Sequence, residues 1–311
     1  MSQIQSRSLF TVAWILALSA LNTPAIAKSL ETVKVTDGIY AFVGEKQQRS
    51  PENLANNATF GLIVTDDGAV LVDPGGSWLG AEALHAAVKK VTDQKVRVVI
   101  DTGGQDHRWL GNGYWKAQGA TVIASQAAVG DHKDRGSMEL TMLDQLLKDK
   151  LKGTEPVYAD VTFESSHKLS LGGLDIEIRH PGPAHTPGDS FVWVPSKKTV
   201  FTGDIVYTER ILGVMSFSKS KSWIESFQAI ADLAPEHLVP GHGSPTTLAR
   251  AKAETYDYLV NLRDKVGEHI ASGGDMISSV EVDQSAFEKL EQFDALARRN
   301  AQAVFAEMEF E

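Results

Sequence analysis

The sequence predicts an α/β protein in which two packed sheets are covered by helices, and three observations carry that expectation. Two strand-rich halves follow one another, each with helices of its own. The strands are short runs of β-branched and aromatic residues ending in loops of His, Asp, Gly and Pro, where α/β layouts gather their chemistry. An apolar fraction of 42%, with 8% aromatic, can fill a sizeable core, which argues against a disordered or fibrous chain.

Residues 1–27 are different material from the rest. They carry one charge, Arg7, and then an apolar stretch from Leu9 to Leu21 broken by Thr11 and Ser19. Ala25-Ile26-Ala27 supplies small residues at the spacing signal peptidase accepts, so a secretory signal cleaved before Lys28 is expected. The apolar stretch is short for a bilayer span, which needs about 20 residues. A periplasmic or secreted protein with no stable membrane anchor follows, with one domain from Lys28 to Glu311.

In the front half, Gly38 to Gly44, Thr59 to Val64 and Ala69 to Asp73 read as strands, the last two joined by the turn residues Asp66-Asp67-Gly68. Leu79, Ala83, Leu84, Ala87, Val88 and Val91 recur at helical spacing, so a helix follows. A strand over Val96 to Ile100 leads into a polar, Gly-rich turn carrying Asp106 and His107, then a helix, the strand Thr121 to Ala124, and a further helix. The second half has strands at Asp175 to Arg179, Ser190 to Val194 and Lys198 to Phe201. Helices at about 222–233 and 246–271 flank a short strand, His237 to Pro240.

The formal charge of -10, with no basic run, argues against affinity for nucleic acid or anionic lipid and points to a small-molecule substrate. With no cysteine, thiolate nucleophiles, iron-sulfur clusters and Cys-type zinc sites are excluded. Metal chemistry must use His and carboxylates. Three loops offer them: Gly182-Pro-Ala-His185-Thr-Pro-Gly-Asp189, Phe201-Thr-Gly-Asp204 and Val239-Pro-Gly-His242-Gly. A lone loop His or Asp is ordinarily a solvated turn residue. Two imidazoles and a carboxylate converging from separate strand ends form a set suited to Zn, Fe or Mn.

With Asp37-Gly-Ile-Tyr and Ala69-Val-Leu-Val-Asp73-Pro-Gly-Gly placed ahead of those loops, the chain resembles the metallo-β-lactamase-fold hydrolases over nearly all of its length after the signal. Asn57 before a Phe-Gly-Leu-Ile-Val strand, Asp73-Pro-Gly-Gly-Ser and Leu110-Gly-Asn112 look most like the exported branch linked to quinoprotein and sulfur-oxidation systems, which implies an exported redox-pathway partner. The resemblance implies a four-layer αββα sandwich with the metal site along one edge of the sheets. It also implies roles: His185 at the first metal, Asp204 between two metals, and His242 at the second.

The front motif departs from the family's Thr-His-x-His-x-Asp-His. In a gapless comparison anchored on Thr102 and Gly111-Asn112, Gly103 and Gln105 stand at the first two His positions, His107 at the Asp and Arg108 at the last His. The expected outcome is a single divalent ion, Zn before Fe or Mn, held by His107, Asp204 and His242 with His185 as a fourth ligand or hydrogen-bonding group. Asp204 or Asp106 would accept a proton from the attacking water.

Arg108 has two readings: a bidentate donor to an anionic substrate group, or a partner of Asp204 standing in for a missing cation. Asp73 is expected to accept hydrogen bonds that fix the metal-site loops. Gln105, Tyr207 and Arg210 are expected near the metal or the substrate. His85, His132, His167, His180, His237 and His269 are not expected as ligands. Three functions remain: a one-metal hydrolase of ester, thioester or amide-type bonds, a pseudo-enzyme of the same fold acting as an exported binding protein, and a mono-iron thiol oxygenase.

Overall fold

A computed structural model describes residues 30–311. The expected signal segment lies outside the described residues. Among the described residues twelve strands form two sheets. The first contains β1 (Glu31–Thr36), β2 (Ile39–Val43), β3 (Thr59–Thr65), β4 (Gly68–Val72), β5 (Val96–Asp101), β6 (Thr121–Ser125) and β7 (Val161–Phe163), in that spatial order. Its first four strands are antiparallel, and β4 to β7 are parallel. The crossovers are helices α1 (Trp78–Val91), α2 (Asn112–Ala117) and α3 (Gln126–Leu147), as parallel strands require.

The second sheet has the order β12-β11-β10-β9-β8, built from β8 (Ser166–Leu171), β9 (Leu174–Arg179), β10 (Phe191–Val194), β11 (Thr199–Phe201) and β12 (His237–Val239). Helix α4 (Ser220–Ala231) connects its parallel pair β11 and β12. Beyond β12, α5 (Leu248–Ala251) runs through a π-helical turn at Lys252–Tyr256 into α6 (Asp257–Ala271), and α7 (Phe293–Met308) follows.

Strand alternation sorts the side chains into layers. Ile63, Val70, Val72 and Ile100 of the first sheet meet Ile178, Val192, Val194 and Phe201 of the second between the sheets. Phe60, Leu62 and Leu71 face the other way, against Leu84 and Val88 of α1 and Trp115 of α2. Phe191 and Trp193 likewise pack on Trp223 and Phe227 of α4, Leu262 of α6 and Phe305 of α7. The result is the four-layer αββα arrangement expected from the sequence. Gly61 lets the sheets approach, since a Cβ there would lie 2.3 Å from the Phe201 ring.

The strands and helices expected from the sequence are present with shifted ends, and α3 runs on to Leu147. Four elements carried no expectation: β1, β7, β8 and α7. Among the described residues no helix is long and apolar enough to cross a membrane.

Candidate metal centre and its cavity

The loops that leave β4, β5, β11 and β12 meet at one edge of the two sheets. Asp73 closes β4 in a left-handed backbone conformation (φ 68°), and its buried carboxylate accepts hydrogen bonds from the Thr102 backbone N–H (2.9 Å) and hydroxyl (2.8 Å). That contact ties the start of the β5 loop to β4. The loop then enters a 3-10 turn, Asp106–Arg108, whose three side chains all point inward.

Arg108 is fully enclosed. One guanidinium nitrogen donates to Asp73 Oδ2 at 2.6 Å and to the Thr59 carbonyl at 3.2 Å. The other donates to Asp204 Oδ1 at 2.6 Å and to the Gly241 carbonyl at 2.8 Å. Of the two readings of Arg108, the geometry fits the pairing with Asp204, because a guanidinium with no exposed surface cannot reach a substrate.

Asp204, carried by the turn after β11, also faces two imidazoles. His107 Nε2 lies 3.3 Å from its Oδ2, and His242 Nε2 lies 3.2 Å from its Oδ1. The donor atoms of His107, Asp204 and His242 all lie within 4.8 Å of one another. Burial alone would raise the Asp204 pKa, but Arg108 and the imidazoles outweigh it and hold the carboxyl well below its ordinary range. The same burial drives the His242 pKa well down, so its ring is neutral.

Each imidazole is oriented from behind. His107 Nδ1 lies 3.1 Å from Asp106 Oδ1, and Asp106 is gripped through both oxygens by Arg49. Such a carboxylate behind a ligating imidazole fixes the ring and its tautomer. Tyr207 stacks on the His242 ring at 4.5 Å and 17°. Tyr207 in turn is clamped by Thr255 of the π-helical turn, whose hydroxyl accepts from the Tyr207 N–H at 3.0 Å and donates to its carbonyl at 2.5 Å.

The residues fit a divalent ion. Tetrahedral coordination by N and O at about 2.0–2.1 Å sets neighbouring donor atoms roughly 3.3 Å apart, which is the spacing of each imidazole from the Asp204 oxygen it faces, His107 from Oδ2 and His242 from Oδ1. His242 Nδ1 is buried without a hydrogen-bond partner.

His185 stands apart from this cluster. Its Nδ1 lies 2.9 Å from the Gly213 carbonyl, to which it can donate, and its Nε2 faces the Gln105 side-chain amide at 3.1 Å. Burial lowers its pKa to about 4. The expectation of His185 as a fourth ligand gives way to the hydrogen-bonding role. Asp106 as proton acceptor also fails on geometry: it is committed to Arg49 and His107, and these hold its pKa below the ordinary carboxylate value against the effect of burial.

At Gly103 an added Cβ would lie 2.3 Å from Asp189 Oδ1. The Gly103 and Gly104 carbonyls are taken up by His132 Nε2 at 2.9 Å and Arg135 at 3.0 Å, both from α3.

A cavity of about 290 Å³ opens over His107, His185 and His242. Gln105, Tyr207 and Arg210 also line it, whereas Asp106 and Asp204 do not. Sequence reasoning missed two cationic groups on its wall. Arg49 lies in the β2–β3 loop, where its pairing with Asp106 has no local signal, and Arg299 is on the unexpected α7.

The sequence profile described as the Metallo-beta-lactamase superfamily matches residues 55–242. The chain is 24% identical over 237 residues to a metallo-beta-lactamase type 2 of Elizabethkingia meningoseptica, covering 74% of this chain and 86% of that protein. A shorter match, 27% over 75 residues, is to the 2,4-dinitroanisole O-demethylase subunit alpha of Nocardioides sp. (strain JS1661), covering 24% and 23% of the two chains. Among solved structures, a metallo-beta-lactamase from Pontibacter korlensis superposes with a TM-score of 0.61 at 24% identity, over 75% of this chain and 100% of that one. The DIM-1 metallo-beta-lactamase gives 0.58 at 21%, over 75% and 98%. At these identities the structural likeness is one of fold. The profile match ends at His242, so α5, α6 and α7 lie beyond it.

Proposed function

We propose, on the premise that the chain belongs to the metallo-beta-lactamase superfamily, that it is an exported hydrolase working with one divalent ion, zinc by its donor set, held by His107, Asp204 and His242. The observation that carries this reading is the convergence of those three donor sets at ligand spacing beneath a cavity. A bound divalent ion supplies electrophilic activation of a carbonyl or ester oxygen and of water. The chain's own residues do the rest. Asp106 and Arg49 hold His107 in register, Tyr207 holds His242, and Arg108 keeps Asp204 ionised and fixed. Neither Asp204 nor Asp106 lines the cavity, so neither carboxylate meets a substrate there.

A single ion is favoured because the space beside Gly103 is filled by Asp189, and Gln105 occupies His185. The front motif is then a degenerate form of the family's, in line with the exported quinoprotein- and sulfur-oxidation-linked branch and a redox-pathway partner. The signal-like residues 1–27 support export. One observation favours a second reading, a metal-free binding protein of the same fold: the Arg108–Asp204 ion pair at 2.6 Å already neutralises the central carboxylate.

Elemental analysis of the purified mature protein separates the two. About one equivalent of metal, lost in His242→Ala and Asp204→Ala, is expected, followed by turnover of a member of a thioester, lactone and β-lactam panel. No metal under any loading condition would overturn the one-ion reading in favour of the second, and two tightly held ions would overturn the assignment of the Gly103 to Arg108 loop.

A further inference from the structure

Residues 102–111, which carry Gln105, His107 and Arg108, leave the fold at the last residue of β5, Asp101, and return to it at the first of α2, Asn112. These two side chains form the neck of the site loop, and both are fully buried. Asn112 Nδ2 donates to Asp101 Oδ2 at 2.7 Å and to the Val157 carbonyl at 3.1 Å, which uses both of its N–H groups. Turning the amide over would press its oxygen on two acceptors, so its orientation is fixed. One oxygen is left over on each side: Asp101 Oδ1 and Asn112 Oδ1 are both buried without a hydrogen-bond partner.

An ionised carboxylate and an amide oxygen are both acceptors, so neither can satisfy the other. Each of them, left unmet in the interior, carries the desolvation cost of a buried polar group. A single proton on Asp101 Oδ1 removes both deficits. It turns that oxygen into a donor to the amide oxygen, while the amide N–H goes on serving Oδ2.

The surroundings of Asp101 favour the neutral acid. Lys116 of α2 acts on it, but its ammonium is paired with Asp160 at 2.6 Å, and the Arg108 guanidinium is committed to Asp73 and Asp204. Burial, aided by the charges of Asp73 on β4 and Asp160 ahead of β7 and opposed by Asn112 and Lys116, raises the Asp101 pKa well above its ordinary 3.8. Neither neck residue lines the cavity, so what they do to the site passes through the loop.

We propose that Asp101 is a carboxylic acid in the folded protein, and that its proton, donated to Asn112 in a two-bond acid–amide ring, locks the neck of the loop that carries His107 and Arg108. Asp101 and Asn112 are thus positioning residues for the site. Loss of the proton sets a carboxylate against the amide oxygen and loosens the loop, so the loop is held in register while Asp101 is protonated and released as pH rises. The inference goes beyond the hydrolase reading and stands without it, because it concerns the loop and not the ion.

Asp101→Asn tests it, because its amide can donate to Asn112 in place of the acid but has no proton to lose. In infrared difference spectra of the mature protein with carbon-13 aspartate carboxyls, parent minus Asp101→Asn, the C=O band of a protonated carboxyl is expected at neutral pH. The acid's contribution to folding is complete below the ordinary 3.8 and is lost as pH rises toward the folded value. In urea denaturation the folding constant of Asp101→Asn is therefore expected to gain on the parent about tenfold per pH unit above about 4, levelling at the folded pKa. In hydrogen exchange, Asn112→Ala is expected to speed the amides of residues 102–111 at least tenfold while leaving β8 to β10 unchanged, and Asp101→Asn to keep the parent's protection. No such band, or a gap in stability that does not widen with pH, would overturn the acid. A band accompanied by loop exchange that Asn112→Ala leaves unchanged, or speeds only together with β8 to β10, would overturn the lock. Every readout is taken with and without chelator, so a protein that takes up no metal would end the one-ion reading and leave this one to be decided on its own results.

Discussion

Asp73 and Asp204 are buried carboxylates brought close by two different sheets, and among the described residues Arg108 is the one group that bonds to both. Burial pulls the Arg108 pKa down, but the two carboxylates more than restore it, so the cation is permanent. Removing one member of a buried, hydrogen-bonded ion network leaves uncompensated charge and costs roughly 3–5 kcal/mol. Arg108→Met is therefore expected to lose about that much in urea denaturation. A loss below about 1 kcal/mol would show that the carboxylates are satisfied without it. Arg108→Lys should recover little, since a point-like ammonium cannot span both carboxylates and the Thr59 and Gly241 carbonyls at once.

The β5 loop and helix α7 each shape the site as whole elements. Because Asp189, His132 and Arg135 close around Gly103 and Gly104, restoring an imidazole with Gly103→His should overpack the loop, costing about 1–3 kcal/mol, without a second metal equivalent by elemental analysis. A stable variant holding two ions would refute this. Helix α7 is pinned over the cavity by Asn300, which accepts from the Val214 N–H at 2.8 Å and donates to the Leu212 carbonyl at 2.8 Å. Asn300→Leu strands two buried backbone groups, each worth about 1–3 kcal/mol. A lowered Tm with faster hydrogen exchange at the Val214 amide is expected, and unchanged exchange would show that α7 is held by its apolar face alone.

Over the whole molecule, two buried groups tilt stability with pH in opposite senses. Burial against Trp109 holds His132 at a pKa of about 4, below its ordinary 6.5. Its neutral form contributes fully above pH 6.5, and the contribution, about 3 kcal/mol, is lost as pH falls toward 4. Asp189 is raised to about 8 by burial and by Asp204. Its protonated form contributes fully below the ordinary 3.8, and that is lost as pH rises through 8. In Tm measured against pH, His132→Gln should flatten the acid limb between 6.5 and 4. Asp189→Asn should gain stability relative to the parent between pH 5 and pH 9. Parallel profiles for parent and variants would contradict both assignments.

By itself the sequence determined the layers. Period-two strands such as Phe60-Gly61-Leu62-Ile63 and the helical spacing in α1 fix which faces must be buried, and that suffices for a two-sheet sandwich with polar loops at the strand ends. It also marked His185, Asp204 and His242, which sit in Gly- and Pro-containing loops at strand ends, and His107 through the comparison with the family's front motif. It left out β1, together with β7 and β8, too short or too evenly exposed to read, and α7, which is preceded by Gln292 in a left-handed conformation with no capping side chain. What each marked residue touches was decided by the tertiary structure. Arg108 turns inward because two carboxylates from distant strands need a cation, His185 turns to Gln105 and Gly213, and Arg49 reaches Asp106 across the loop. These are contacts between residues far apart in the chain, set by electrostatic pairing in a dry interior, and no local pattern encodes them.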